Sequence, residues 1–366
     1  MKHVLLKKLP PALDWASLVP LIGKANAGLA RYDGLLHGII NPEILLSPLT
    51  LQEAVLSSRI EGTQASLAEV LQHEAGKRFE EMKERDIQEI INYRQALAFA
   101  EKRLNERPLS LNLIRQMHSI LLDSVRGHNR GRGEFRRIQN WIGPPGCTIE
   151  KATYVPPDPS QLMIYLDSWE KYIHADEKDP LVQLAIIHAQ FENIHPFLDG
   201  NGRIGRILIP LFLAERKVLA RPMFYLSGYF ERYRKEYYDR LLAINTDTDW
   251  NGWVQFFLRA IINQASEDTE KAKSILSLYT KMKDEVPKIT GPNYTIRVID
   301  FIFDNPIFST SSFIKKTKIP KRSALRALGS LKEAGILSTL QAGVGRKPEV
   351  MVFSRLLNAA DGKKVL

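Results

Sequence analysis

The residues best suited to chemistry in this 366-residue chain stand between His195 and Arg206. This short stretch combines one histidine and one carboxylate, Asp199, with three glycines and two arginines. Glycine lets backbone amides approach an anion closely, and guanidinium groups bind phosphate oxygens strongly. A carboxylate beside phosphates is a natural Mg²⁺ ligand, and histidine is the side chain best suited to act as a base near pH 7. The spacing therefore predicts phosphoryl-group chemistry.

Three other interpretations of the same stretch remain open at this point. Gly200 to Gly205 formally fits the dinucleotide-binding pattern G-x-G-x-x-G, although that pattern requires a preceding strand and the preceding residues have a helical pattern. His188, Glu192 and His195 share one helical face, which would suit a hydrolytic metal centre. The third interpretation is a polar junction between two helices with no chemistry.

Two apolar helices must position these residues. Asp179-Pro180 predicts the start of the first helix, because Asp can cap a helix and Pro fits its first turn. That helix is predicted to end near Pro196, and the next begins at about Arg203, so its positive N-terminal end faces the glycines. Helical periodicity dominates to about residue 290, which predicts a mainly α protein built on a helical bundle.

The composition excludes several classes of protein. Apolar residues make up 44% and charged residues 25%, as in a globular protein rather than a disordered one. The single cysteine, Cys147, excludes an internal disulfide framework and a cluster of cysteine metal ligands. We find no signal peptide and no apolar stretch of membrane-spanning length, so we expect a cytoplasmic protein without membrane contact.

The positive charge is concentrated at the C-terminal end. Residues 291–366 carry 13 Lys/Arg and 5 Asp/Glu, whereas the whole chain has a net charge of +10. Within 293–353 the pattern predicts three helices, over 294–303, 309–316 and 320–334, followed by strands at 336–340 and 350–353. Leu325, Leu328 and Leu331 are expected to face inward. This is a winged-helix pattern, and such modules bind DNA or proteins.

Residues 195–206 resemble the signature of the Fic (Fic/DOC) family, H-P-F-x-[DE]-G-N-G-R-x-x-R, at every fixed position. The resemblance extends to Gly133–Arg136 and to Trp141–Gly143. It implies a Fic-type helical core and a protein adenylyltransferase, which transfers AMP from ATP to a hydroxyl group of a target protein or of itself, with Mg²⁺. His195 would be the base, and Asp199 would hold the metal. The nucleotide-binding residues would be Gly200, Asn201, Gly202, Arg203, Ile204, Gly205, Arg206, Tyr237, Tyr238 and Asn245.

The resemblance also implies a flap and an inhibitory contact. Lys151, Ala152, Thr153 and Tyr154 would form the flap, within a short hairpin at 148–155, that holds the target's backbone. Ser57 to Gly62 resembles the family's inhibitory motif [ST]-x-x-x-E-[GN], in which Glu61 would pair bidentately with Arg206 and obstruct productive nucleotide binding.

These patterns divide the chain into three expected domains. They are an N-terminal helical region (1–105) with its inhibitory helix near 52–62, a catalytic core (106–285) and a winged-helix-like domain (291–355). The alternative functions are a DNA-binding regulator in which the core is secondary, and a metal-dependent hydrolase or de-AMPylase. We expect DNA, if bound, to contact residues 293–353. Lys321, Arg322 and Arg326 would lie on the recognition helix, and Arg346 and Lys347 on the wing. The sequence also leaves open whether the protein forms a homodimer.

Overall fold

The computed structural model describes residues 4–39, 41–125, 131–144, 146–345 and 347–361. It is 66% helical with one small antiparallel sheet, which confirms the mainly α prediction. The helices are α1 (Trp15–His37), α2 (Pro42–Leu45), α3 (Ser47–Ile60), α4 (Leu67–Glu74), α5 (Glu81–Leu104), α6 (Leu111–Leu121), α7 (Leu162–Ile173), α8 (Pro180–Ile194), α9 (Asn201–Glu215), α10 (Ser227–Arg232), α11 (Arg234–Thr246), α12 (Trp250–Thr290), α13 (Thr295–Asp304), α14 (Thr310–Thr317), α15 (Lys321–Glu333) and α16 (Ser354–Asp361). The strands are β1 (Ile307–Ser309), β2 (Ser338–Gln341) and β3 (Val350–Val352).

The chain forms two compact units. The first comprises residues 1–34, 56–63 and 91–266, and the second comprises 35–55, 64–90 and 267–366, as far as these are described. Within the described part, no helix is both long enough and apolar enough to cross a membrane.

Helices α8 and α9 form the centre of the first unit. As the sequence predicted, Asp179 caps α8, because its carboxylate accepts hydrogen bonds from the backbone N–H groups of Leu181 and Val182 at 2.9 and 3.0 Å. Helix α8 is almost wholly buried, since its apolar residues face neighbouring elements on all sides. It ends at Ile194, and His195, the next residue, takes a left-handed conformation with φ 49°. The chain then turns through Gly200, at φ 80°, into α9.

Helix α1 runs for 23 residues with Pro20 in its second turn. One sequence expectation for the first unit needs correction. Residues 148–155 do not form a hairpin of their own. Residues Ile149–Lys151 make a 3₁₀ turn, and Tyr154 instead pairs with Ile142 in an antiparallel bridge. The N–H groups of Thr153 and Tyr154 both donate to the Ile142 carbonyl, so the partner strand lies earlier in the chain.

The C-terminal part of the second unit contains α13, α14, α15 and a three-stranded sheet. The sheet has the order β1–β3–β2 and is antiparallel throughout, with Ile307 opposite Val352 and Ser338 opposite the same valine. The three helices lie within two residues of their predicted bounds, and β1 was not predicted. Leu328 and Leu331 are buried, but Leu325 is 45% exposed, so the expectation that it faces inward is wrong. Arg346 lies outside the described residues.

Candidate active site

A cavity of about 580 Å³ opens in the first unit between α8, α9 and α11. Its walls combine charged and apolar side chains, as in small-molecule sites. The residues that line it include Glu61, Trp141, Ile142, Thr153, Tyr154, Glu192, His195, Gly202, Arg206, Tyr237 and Tyr238. Four residues to which the sequence analysis gave roles therefore surround one cavity: the predicted base His195, the predicted anion-binding residues Gly202 and Arg206, and the predicted inhibitory residue Glu61.

His195 lies at the cavity wall in its neutral form. Its ring Nδ1 is 3.2 Å from the Glu192 carbonyl oxygen, which can only accept, so Nδ1 carries the proton and Nε2 keeps its lone pair. Burial disfavours the imidazolium and lowers the pKa of His195 to about 4. A neutral imidazole with an available Nε2 can accept a proton from a hydroxyl group.

Arg136 holds the backbone on which His195 stands. This buried side chain donates from Nε to the His195 carbonyl at 3.0 Å and from Nη2 to the Pro157 carbonyl at 2.6 Å. Its backbone N–H also donates to the Pro196 carbonyl at 2.8 Å. The guanidinium thus binds carbonyls left without helical partners at the end of α8. Arg136 belongs to the stretch that resembles the family, but its role could not be predicted from the sequence.

The Asn201 side chain locks the turn between α8 and α9. Its Oδ1 accepts from the Phe197 N–H at 2.8 Å, and its Nδ2 donates to the Phe197 carbonyl at 2.8 Å. These two hydrogen bonds use the Asn201 side-chain amide within the turn, and the residue is 2% exposed. A contact of Asn201 with a nucleotide, as expected from the sequence, is therefore left to its backbone N–H.

His118, which the sequence analysis missed, supports the same turn from α6. Its Nδ1 accepts from the Gly133 N–H at 2.9 Å, so its Nε2 carries the proton and donates to the Asp199 carbonyl at 2.9 Å. The ring stacks on Phe197 with centroids 3.7 Å apart, and burial lowers its pKa to about 4. A histidine on the apolar face of an amphipathic helix was the one available signal.

The N-terminus of α9 presents the predicted anion site. The backbone N–H groups of a helix's first turn have no carbonyl within the helix to bind, and they carry the positive end of the helix dipole. Asp199 stands just before this turn with its side chain 31% exposed, and its carboxylate lies 3.3 Å from Arg203 Nη2. A partly exposed carboxylate beside an anion site suits Mg²⁺, which prefers few protein ligands together with phosphate oxygens and water.

Arg206 is buried and bound by the segment at the end of α3. Its Nη2 lies 2.6 Å from Glu61 Oε1, and its Nε donates to the Ser57 hydroxyl at 2.8 Å. Burial alone would raise the pKa of Glu61, but the Arg206 guanidinium lowers it below the usual range. The contact joins one nitrogen to one oxygen, rather than being bidentate as expected. A Cβ at Gly202 would collide with Glu61 Oε1, so a larger residue at this position would require the Glu61 carboxylate to move.

The remaining predicted residues differ in how far they are exposed to the cavity. Tyr238 lines the cavity and is 42% exposed, whereas Tyr237 is 1% exposed and its hydroxyl lies 2.9 Å from His188 Nε2. Asn245 donates to Asn193 at 3.0 Å. In the predicted flap, Thr153 and Tyr154 line the cavity and Lys151 and Ala152 precede them. Ile204 and Gly205 are buried in α9 behind the turn.

The alternative metal centre does not form. His188 is buried between the Gly205 carbonyl, 3.1 Å from its Nδ1, and Tyr237, so both ring nitrogens have partners within the core. Among the described residues, no group of three or more His, Cys, Asp or Glu side chains is placed to hold a metal ion. The dinucleotide-binding alternative also lacks its strand, because α8 precedes Gly200.

Comparison of the sequence with known families gives two matches. A profile described as "Fic/DOC family N-terminal" matches residues 19–102, and one described as "Fic/DOC family" matches 108–213. Among curated proteins, "Protein adenylyltransferase Fic" of Drosophila grimshawi is 26% identical over 196 residues, which cover 49% of this chain and 34% of the relative. The protein of the same name from Culex quinquefasciatus is 30% identical over 132 residues, covering 34% and 22%. The matched regions thus span about a third or less of these relatives.

Solved structures show the same fold. A Fic family protein from Desulfovibrio desulfuricans is 18% identical with a TM-score of 0.62, and the match covers 94% of this chain and 98% of that one. Fic-1 from C. elegans is 20% identical with a TM-score of 0.52, and the match covers 72% and 74%.

Proposed function

The chain belongs to the Fic/DOC family, and from this premise we propose that it is a protein adenylyltransferase. It transfers AMP from ATP to a hydroxyl side chain of a protein, which is another protein or the chain itself. The observation that carries this proposal is the single cavity that brings together neutral His195, the N-terminus of α9 and Arg206. Curated relatives named protein adenylyltransferase support it.

His195 is the general base in this proposal. Its Nε2 takes the proton of the attacking hydroxyl as that oxygen bonds to the α-phosphorus, and the bond to the bridging oxygen breaks with release of pyrophosphate. Because burial and the Nδ1 contact keep the ring neutral and oriented, the base is ready before substrate arrives. Rate acceleration then comes mainly from positioning and from charge stabilisation.

The triphosphate lies against the start of α9. The backbone amides of Gly200, Asn201 and Gly202 face its oxygens, and Arg206 takes the outer phosphate. Asp199 is the residue that would hold Mg²⁺, which supplies charge neutralisation on the phosphates when bound. Tyr238 and the flap residues Thr153 and Tyr154 bound the remaining cavity, where the nucleoside and the target segment have room.

Glu61 acts as a built-in inhibitor in this proposal. It neutralises Arg206 at 2.6 Å and stands over Gly202, where an outer phosphate would otherwise bind. The protein as it stands is therefore expected to have low transfer activity, and removing the Glu61 carboxylate is expected to raise it.

The test is intact mass after incubation with ATP and Mg²⁺, together with incorporation of labelled AMP. Glu61→Gly should gain the mass of one or more AMP groups, or label an added protein, at least about tenfold faster than the unsubstituted protein, because the carboxylate that competes with the phosphate for Arg206 is removed, and a charge-assisted contact of about 1.5 kcal/mol corresponds to about tenfold. Glu61→Gly/His195→Ala is the matched control and should stay inactive. Equal incorporation by the unsubstituted protein and Glu61→Gly would contradict the inhibitory role, and an added phosphate instead of AMP would contradict the transferred group.

A second candidate function, duplex DNA binding, is favoured by the charge of α14 and α15. Residues 305–332 contain seven Lys/Arg and no Asp/Glu. Lys315, Lys318, Lys321, Arg322 and Arg326 are exposed. None of the five has an ion pair within the described part of the chain. Exposed cations without ion pairs on a helix and in the turn before it are typical of a helix that enters a groove of DNA. Fluorescence anisotropy with a labelled duplex tests this.

A further inference from the structure

Glu192 is a second carboxyl group beside Arg206. It stands three residues before His195 on α8 and lines the same cavity as Arg206 and Glu61. Its Oε1 is buried and has no hydrogen-bond partner. This oxygen lies so close to the Cα of Gly205 that any Cβ there would collide with it, so α9 leaves room for the carboxyl group at this point. Two carboxyl groups and one guanidinium therefore line the same cavity.

The two carboxyl groups are in opposite protonation states. Glu61 holds the direct contact with Arg206, and the guanidinium keeps it ionised despite burial. Burial raises the pKa of Glu192 to about 8, so at neutral pH it carries a proton. A pair of groups whose environments separate their pKa values in this way responds as a unit when one partner leaves.

We propose that Glu192 is the reserve counter-ion of Arg206, which ionises when Glu61 is withdrawn and takes up a proton when a phosphate arrives. With Glu61 in place, its charge already balances the guanidinium and Glu192 stays neutral. With Glu61 removed and no nucleotide bound, Arg206 is left as a buried cation, and Glu192 releases its proton to balance it. A bound phosphate then supplies the negative charge, and the Glu192 carboxylate binds one proton from solvent.

The groups that face Glu192 support this assignment. Arg206 faces it from α9, Glu61 from the segment after α3, and Tyr237 and Tyr238 from α11. Burial raises the pKa of both tyrosines, and burial keeps the His195 ring on α8 neutral, so these groups carry no charge near pH 7. Among these facing groups, Arg206 and Glu61 are the ones whose charge determines the state of Glu192.

The first test counts protons by calorimetry. Binding of ATP with Mg²⁺ to Glu61→Gly is measured at pH 7.5 in buffers of different ionisation enthalpy, and compared with Glu61→Gly/Glu192→Gln. This experiment rests on the proposed nucleotide site. On binding nucleotide, Glu61→Gly should take up nearly one proton more than Glu61→Gly/Glu192→Gln does. The control variant Glu61→Gly/Glu270→Gln, which changes an exposed glutamate, should take up as many protons as Glu61→Gly. Equal proton counts with and without Glu192 would overturn the proposal.

The second test needs no nucleotide. The folded protein keeps a proton on Glu192 that the unfolded chain loses above its ordinary pKa, so this residue makes stability fall as pH rises from about 4.5 to about 8. The melting temperature of the unsubstituted protein should fall more steeply over this range than that of Glu192→Gln. In the Glu61→Gly background, Glu192→Gln should change the slope of melting temperature against pH less, because Glu192 is already ionised there. If the melting temperature depends on pH equally with and without Glu192, in both the unsubstituted and the Glu61→Gly proteins, the proposal is refuted. A Glu61→Gly protein that binds no nucleotide would count against the proposed function instead.

Discussion

At the scale of single residues, the polar side chains nearest the proposed anion site bind the backbone of the turn. Asn201 pairs with both backbone groups of Phe197, and His118 reaches the Asp199 carbonyl from α6. Neither contact could be derived from residue type and spacing alone, because an asparagine beside glycines can serve a ligand or a turn equally well. The positions of His195 and Arg206 could be predicted because they follow from the spacing of one continuous stretch.

Substitution of Asn201 by alanine tests the structural role of its amide. The change removes two buried hydrogen bonds and leaves the Phe197 N–H and carbonyl without these partners, so we expect a loss of about 2–3 kcal/mol in unfolding free energy. Since the turn carries the anion site, AMP transfer in the Glu61→Gly background should also fall. Urea denaturation measures the first effect, with Asn263→Ala as the control, because Asn263 is exposed on α12. Equal stability of the two variants would contradict the role given to Asn201.

At the scale of elements, α8 and α9 could be predicted because their signals are local. A capping aspartate followed by proline starts α8, and His-Pro ends it close to where the structure does. The bounds of the helices in 294–334 could be predicted equally well from the sequence. What could not be predicted came from contacts between distant segments. The pairing of Tyr154 with Ile142, the strand β1 and the exposure of Leu325 all depend on which neighbour covers each residue.

Arg136 is the element-scale contact with the clearest consequence for activity. It joins the loop before α7 to the end of α8 across 59 residues of sequence. Replacing it by methionine removes the guanidinium that holds the His195 carbonyl, so the base should be misplaced and transfer in the Glu61→Gly background should fall about 10²-fold. Nucleotide affinity should change much less, because Arg136 does not contact the anion site directly.

The neighbouring arginine provides the control for this experiment. Arg137 is 87% exposed and has one surface ion pair, with Glu134 at 3.5 Å. Arg137→Met should therefore leave both stability and transfer close to unchanged. Equal transfer rates for Arg136→Met and Arg137→Met, measured as labelled AMP per minute at saturating ATP, would show that Arg136 does not position the base.

At the scale of the whole molecule, charge and chemistry are separated along the chain. The first unit contains the cavity with His195 and Arg206, whereas residues 291–366 carry an excess of eight positive charges. The uneven distribution of charge is visible in the sequence, but which of these cations are exposed and unpaired could be learned only from the structure. Five exposed cations in and between α14 and α15 have no ion pairs in the part described, so their charge is available to an external anion; they are Lys315, Lys318, Lys321, Arg322 and Arg326.

The two activities should therefore be separable by substitution. Arg322→Glu/Arg326→Glu should weaken binding of a labelled 20-bp duplex and reduce the slope of log affinity against log salt by about 2, since two phosphate contacts are lost. In the Glu61→Gly background the two arginine substitutions should leave AMP incorporation unchanged. His195→Ala should abolish AMP incorporation and leave duplex binding unchanged. Lys24→Glu/Arg31→Glu, which alters two exposed cations on α1, controls for net charge. An equal loss of duplex binding in this control would show that bulk charge, rather than α15, is responsible, and no duplex binding at 50 mM salt or below would remove DNA as the partner of these cations.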